Sequence, residues 1–140
     1  MNDCIFCQIV EGKAPSQQIY SDDKTLAFLS IQPVRPGHTL IIPKTHEPDI
    51  FSLAEEDYLA IMKTAYKLTP VLKEVYKPKR VGLLVAGWEV PHAHLHLVPI
   101  FEHDDLTSKR LLDGTAKFVD QKELEKERVQ IAAKLKVLDS

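Results

Sequence analysis

The sequence predicts an α+β fold in which short antiparallel strands pack against one principal helix. Three observations predict it. Strand-like segments come first, separated by gaps of hairpin size that leave no room for a crossover helix. One long segment then carries apolar residues at helical spacing, and a second pair of strand-like segments follows it. At 140 residues the chain suits a single domain, 1–140, large enough to close a core without disulfides.

The first strands are Gln17 to Ser21, Thr25 to Leu29 and Thr39 to Pro43, joined by an Asp22-Asp23 turn and by the turn QPVRPG from Gln32 to Gly37. Ser52 with Glu55 three residues on reads as a capping box that opens the main helix. Leu53, Ile61, Met62, Ala65, Leu68, Val71, Leu72 and Val75 then form its apolar stripe, which is read as the face packed on the sheet. Pro70 lies inside this stripe and predicts a kink or a break. From Arg80 the run RVGLLVA and, past Gly87, the run VPHAHLHLVPI make a second hairpin. A charged helix is expected from Gln121 to Leu138, with Leu124, Ile131, Leu135 and Leu138 as its apolar side and its charges as a solvated face.

Composition excludes several function classes. Eighteen basic against twenty acidic residues give a formal charge of −2 and no basic field for nucleic acid. No apolar run approaches the roughly 20 residues of a membrane helix, and the first residues lack the order of a signal peptide, so a cytoplasmic location is expected. Only Cys4 and Cys7 occur, and in a reducing compartment such a C-x-x-C pair reads as metal ligand or redox motif before disulfide.

The chemistry concentrates in His92, His94 and His96. On a strand these would share one face while Ala93, Leu95 and Leu97 pack on the other. The outer two would then lie roughly 13 Å apart, too far to meet one metal ion or one substrate atom, so the three must divide roles. Polar residues on the wet side of a half-exposed strand are the plain reading. Two others are functional: a metal hydrolase holding zinc through an i, i+2 histidine pair, and covalent catalysis on phosphorus by a neutral imidazole.

The segment His92-Ala-His94-Leu-His96-Leu-Val resembles the His-φ-His-φ-His-φ-φ motif of the histidine triad (HIT) superfamily. The resemblance extends to Cys4-Ile-Phe-Cys7, Ala27-Phe28-Leu29, Pro36 through Lys44 and His46, covering residues 4–100 and leaving 101–140 as a C-terminal extension without a motif. It implies a five-stranded antiparallel sheet with one long helix, usually in a homodimer, that acts on nucleotides as hydrolase or transferase. By that resemblance His94 is the nucleophile on an α-phosphorus and His96 contacts the phosphate. His38 lines the same pocket to orient or protonate, and Ile5, Phe6, Phe28 and Ile31 sandwich the base. It also implies one structural zinc per chain on Cys4, Cys7, His46 and His92, a closed tetrahedral set with no open position for water. A free or redox-active thiol pair is the alternative.

The sequence departs from the family pattern at Ser30 and in the run before the triad, positions that would touch substrate. Ser30 stands where an acidic residue commonly holds the ribose hydroxyls, and a hydroxyl offers no charge-assisted grip. Before the triad, Trp88 stands for a glutamine and Glu89 for a hydroxyl that meet phosphate, and a nearby asparagine is missing. A carboxylate at Glu89 repels polyphosphate unless a cation intervenes or it points away, and Trp88 is read as packing or as stacking on a base. Three functions follow: turnover of phosphoramidate or dinucleoside polyphosphate substrates through His94, a nucleotide-binding or interaction protein with weak or no turnover, and a metal hydrolase.

Overall fold

The structure, a computed structural model, describes residues 3–107 and 115–139. The elements run α1 (Ile5–Val10), β1 (Gln18–Ser21), β2 (Thr25–Leu29), β3 (Thr39–Pro43), a 3-10 turn (Ile50–Ser52), α2 (Glu55–Tyr76), β4 (Arg80–Leu84), β5 (Leu95–Ile100) and α3 (Gln121–Asp139). All neighbouring strands are antiparallel in one five-stranded sheet of order β1-β2-β3-β5-β4. The α+β architecture and the second hairpin are therefore as the sequence predicts. No helix among the described residues is long and apolar enough to cross a membrane.

The strands β2 and β3 are buried at every residue, which explains their nearly unbroken apolar runs. Period-2 geometry deals their side chains to two cores. Ala27, Leu29, Ile41, Leu95 and Leu97 meet α2 and α3 on one face. On the other, Leu26, Phe28, Leu40 and Ile42 meet Phe6 and Ile9 of α1.

Helix α2 buries Ile61, Thr64, Ala65, Leu68, Val71 and Leu72, a stripe at helical spacing, while Leu53, Met62 and Val75 pack at its border. Thr64 adds a polar tie, its hydroxyl 2.7 Å from that of Thr25 on β2. The helix runs unbroken through Pro70, so the expected break does not occur. Pro70 is on the exposed side, where the carbonyl that loses its N–H partner faces water instead of the core.

The capping box at Ser52 is also corrected. Asp49 captures that turn by accepting the Phe51 N–H at 3.0 Å, and Ser52 Oγ bonds back to Asp49. The helix starts instead after Ala54, without a side-chain cap, and carries Glu55, Glu56 and Asp57 in its first turn, where the helix dipole favours anions. In α3, Leu124 and Ile131 are fully buried and Leu135 packs at the edge, but Leu138 is largely exposed because the last turn extends past the core. Helix α1 was not legible as a helix; its six residues are capped by Cys4, whose Sγ accepts the Cys7 N–H.

Candidate functional site

Strand β5 begins only at Leu95, so His92 and His94 precede it in irregular backbone and His96 alone lies on it. The expectation that all three share one face of a strand is thereby corrected, and the plain reading of a half-exposed strand does not hold. His92, His94 and His96 are all buried, since α1 and the stretch before β5 cover their face. Ala93, Leu95 and Leu97 do point into the core under α2. A turn in which His92 N–H donates to Val90 O, and Ala93 N–H to Glu47 O, sends the three rings to different surroundings.

His94 Nδ1 is 2.8 Å from the carbonyl oxygen of His92, which can only accept. That nitrogen therefore carries the hydrogen and Nε2 keeps the lone pair. A second chain of bonds sets the other rings. The Val34 N–H donates to His38 Nδ1 at 3.0 Å, so His38 carries its hydrogen on Nε2. His38 Nε2–H then donates to His96 Nδ1 at 2.8 Å, which leaves the hydrogen of His96 on Nε2.

Burial, reinforced by the facing ring of His96, pushes the pKa of His38 down to about 3. Burial and the neighbouring His94 push that of His96 down to about 4. Both are neutral near pH 7. The ring centroids of His94 and His96 stand 5.2 Å apart, and both rings line the same cleft. Phe6 packs edge-on against His94 at 5.2 Å.

These groups line a cleft of about 350 Å3. Ile5, Phe6, Phe28 and Ile31 give it apolar walls, with Ser30, His38, His94 and His96 among its polar groups and Glu89 in its lining. Ser30 Oγ accepts the Gln32 N–H at 3.1 Å, and Glu89 is exposed. Trp88 is 89 % exposed and does not line the cleft, because the loop between β4 and β5 turns its ring to the surface. Gln32 and Gln121 line the cleft without having been anticipated. Gln121 comes from α3, and no motif in the C-terminal extension marked it.

Beside the cleft, one donor atom from each of Cys4, Cys7, His46 and His92 lies within 4.8 Å of all the others, a group able to hold a metal ion. His92 Nδ1 is 3.4 Å from both sulfurs, His46 Nδ1 is 3.2 Å from Cys7 Sγ, and the two Nδ1 atoms are 3.3 Å apart. His92 Nε2–H donates to Pro43 O at 2.9 Å, which leaves Nδ1 as the donor to an ion. Burial lowers the pKa of His92 and favours this neutral form.

Residues 11–103 match the model of the HIT domain. An uncharacterized HIT-like protein of Methanocaldococcus jannaschii is 37% identical over 128 residues, covering 89% of this chain and 97% of that one. An adenosine 5'-monophosphoramidase of Candida albicans is 39% identical over 106 residues, 69% of each chain. Among solved structures, a zinc-bound histidine triad family protein from Mycobacterium smegmatis superposes with a TM-score of 0.79 at 29% identity, over 98% of this chain and 96% of that one. With the matched domain, the antiparallel sheet and these relatives in agreement, the chain belongs to the HIT family.

Proposed function

We propose that the protein is a nucleotide phosphohydrolase or nucleotidyl transferase acting at an α-phosphate through a covalent nucleotidyl-histidine on His94. The observation that carries this reading is the bond from His94 Nδ1 to the His92 carbonyl, which dedicates Nε2 to the cleft as a nucleophile. The Nε2 lone pair attacks the α-phosphorus and forms an N–P bond. The bond to the leaving group breaks with its electron pair, and that group takes a proton from water. The hydroxide so formed attacks phosphorus, breaks the N–P bond, releases a nucleoside monophosphate and restores the neutral imidazole.

His96 donates its Nε2–H to a non-bridging oxygen and, being neutral, steadies charge without acting as an acid. His38 orients His96. Ile5, Phe6, Phe28 and Ile31 flank the base, and Ser30 offers one hydroxyl to the sugar. Glu89 disfavours a long polyphosphate, so a phosphoramidate fits better than a dinucleoside polyphosphate. The Candida albicans relative, named as a monophosphoramidase, supports that class.

The four-donor group is assigned one structural zinc. Bonds of about 2.3 Å to sulfur and 2.05 Å to nitrogen in a tetrahedron require about 3.5 Å between S and N and about 3.3 Å between two N. Three of the sulfur–nitrogen contacts, at 3.2 to 3.4 Å, and the nitrogen–nitrogen contact at 3.3 Å lie close to those spacings, and all four donors lie within 4.8 Å of one another. Two thiolates and two imidazoles close the shell, so the ion would tie α1 to the turn before β5 and activate no water. The reading includes a homodimer, supported by the edge strand β4, where Leu83 is 45 % exposed; sedimentation at two concentrations tests it.

A second reading, nucleotide binding without turnover, is favoured by one observation. The described cleft lining contains no Lys or Arg, while Glu89 brings a carboxylate. Intact-mass spectrometry after brief incubation with an adenosine phosphoramidate, quenched without acid, separates the two. An adduct of one nucleoside monophosphate, absent in His94→Ala, supports turnover. No adduct and no product across a substrate panel, with nucleotide still bound, supports the second reading.

A further inference from the structure

The loop from Ser30 to His38 sets the His38–His96 pair, because it supplies both the Val34 N–H on His38 Nδ1 and the Arg35 carbonyl that accepts His38 N–H. The loop is held from two sides. On one, Arg35 Nε and Nη2 grip the buried carboxylate of Asp105 at 3.1 and 3.0 Å. On the other, Glu127 of α3 accepts the Gly37 N–H at 2.9 Å and the Tyr76 hydroxyl at 3.0 Å with the same Oε1.

Gly37 has little choice of position there. Its φ of +89° suits glycine, and a Cβ would stand 2.5 Å from the Tyr76 ring. The extension also holds the start of the loop, through Val119 N–H on Ile31 O and Gln32 Nε2 on Ala116 O. All of these α3-side anchors lie beyond residue 103, where the match to the HIT domain ends.

We propose that Glu127 is a positioning residue for the site: by holding the Gly37 amide it fixes the His38 loop, and so fixes the tautomer in which His96 faces the cleft with an N–H. Glu127 thereby takes part in catalysis without touching substrate. Its effect on turnover rests on the function proposed above, whereas its effect on the tautomers does not.

The test is the long-range 1H–15N spectrum of the imidazoles in the full-length protein, its six histidines labelled and the two signals assigned with His38→Asn and His96→Asn. In the wild type both residues show a neutral Nε2–H tautomer. Glu127→Ala is expected to replace these with mixed tautomers and to lower kcat, by up to about 100-fold, with KM unchanged. Glu127→Asp, one methylene short, is expected to behave likewise, while Glu127→Gln, which keeps an acceptor oxygen, retains the wild-type pattern. A folded Glu127→Ala with unaltered His38 and His96 signals overturns the proposal, as does Glu127→Gln shifting as far as alanine. Should alanine fail to fold, unaltered signals in Glu127→Asp overturn it equally. A wild type without turnover counts against the proposed activity alone, and the spectra still decide the role of Glu127.

Discussion

His38 and His96 make the fold acid-sensitive by an amount that follows from their burial. Each has an ordinary pKa near 6.5, and in the folded protein burial first, then the neighbouring imidazole, holds them at about 3 and about 4. The hydrogen bonds act in the same direction: protonating His96 at Nδ1 would set an N–H against the His38 N–H, and protonating His38 at Nδ1 would expel the Val34 amide. Both folded values are depressed, so between about pH 4 and pH 6.5 the unfolded chain binds more protons than the native one. Stability contributed by the neutral pair is present above pH 6.5 and is lost as the pH falls below it. By about pH 5 each unfolded histidine has gained roughly 1.5 pH units of protonation free energy, about 2 kcal/mol, and the two together about 4 kcal/mol. That figure depends only weakly on the folded values once these lie at or below about 4. Urea unfolding at about pH 8, 6 and 5 measures the total, and His96→Asn isolates one part of it. The variant should lose about 2 kcal/mol less than the wild type over the same interval. Equal pH dependence in the two proteins would refute the neutral pair.

Metal removal should loosen α1: chelation is expected to lower Tm, and readdition of one equivalent of zinc to restore it, with about 4 kcal/mol gained at a free zinc concentration 1,000 times the Kd. His46→Ala should abolish that recovery, read by calorimetry. Leu68→Ala, at a fully buried position under the sheet, should cost about 2 to 5 kcal/mol in urea unfolding with an unchanged m value. Gly37→Ala should cost about 2 to 4 kcal/mol, from its positive φ and the Tyr76 ring, and equilibrium unfolding checks it. Glu89→Gln should tighten binding of adenosine monophosphate by a few-fold, an effect that titration calorimetry would show shrinking as salt is raised.

The residues that were legible are those whose pattern is local. Thr25–Leu29 and Thr39–Pro43 carry strand-forming side chains over their whole length, and both strands occur as read. The helical stripe from Ile61 to Leu72 has the same directness. Ser52 misled because a capping signature is shared by any turn with a free amide, and Asp49 reached the local donor first. His92 and His94 were placed on a strand because alternation in sequence does not reveal where the ladder stops; the turn at Val90 to His92 takes them off it. Trp88 was read by position in a motif, but side-chain direction in an irregular loop has no period to follow. Glu127 was invisible because it reaches the Ser30–His38 loop from 90 residues away, and Gln121 because it comes to the cleft beside Gln17 across 104 residues, contacts that no spacing encodes.

His92 belongs to two neighbourhoods at once: its ring faces Cys4, Cys7 and His46, while its carbonyl receives the His94 hydrogen. The two centres therefore share one residue, and a disturbance at the donor group reaches the hydrogen on His94 through a single peptide. That peptide has braces of its own: His92 Nε2–H on Pro43 O, His92 N–H on Val90 O and Ala93 N–H on Glu47 O. Loss of a thiolate therefore leaves the carbonyl supported, and the tautomer of His94 outlives the donor group beside it.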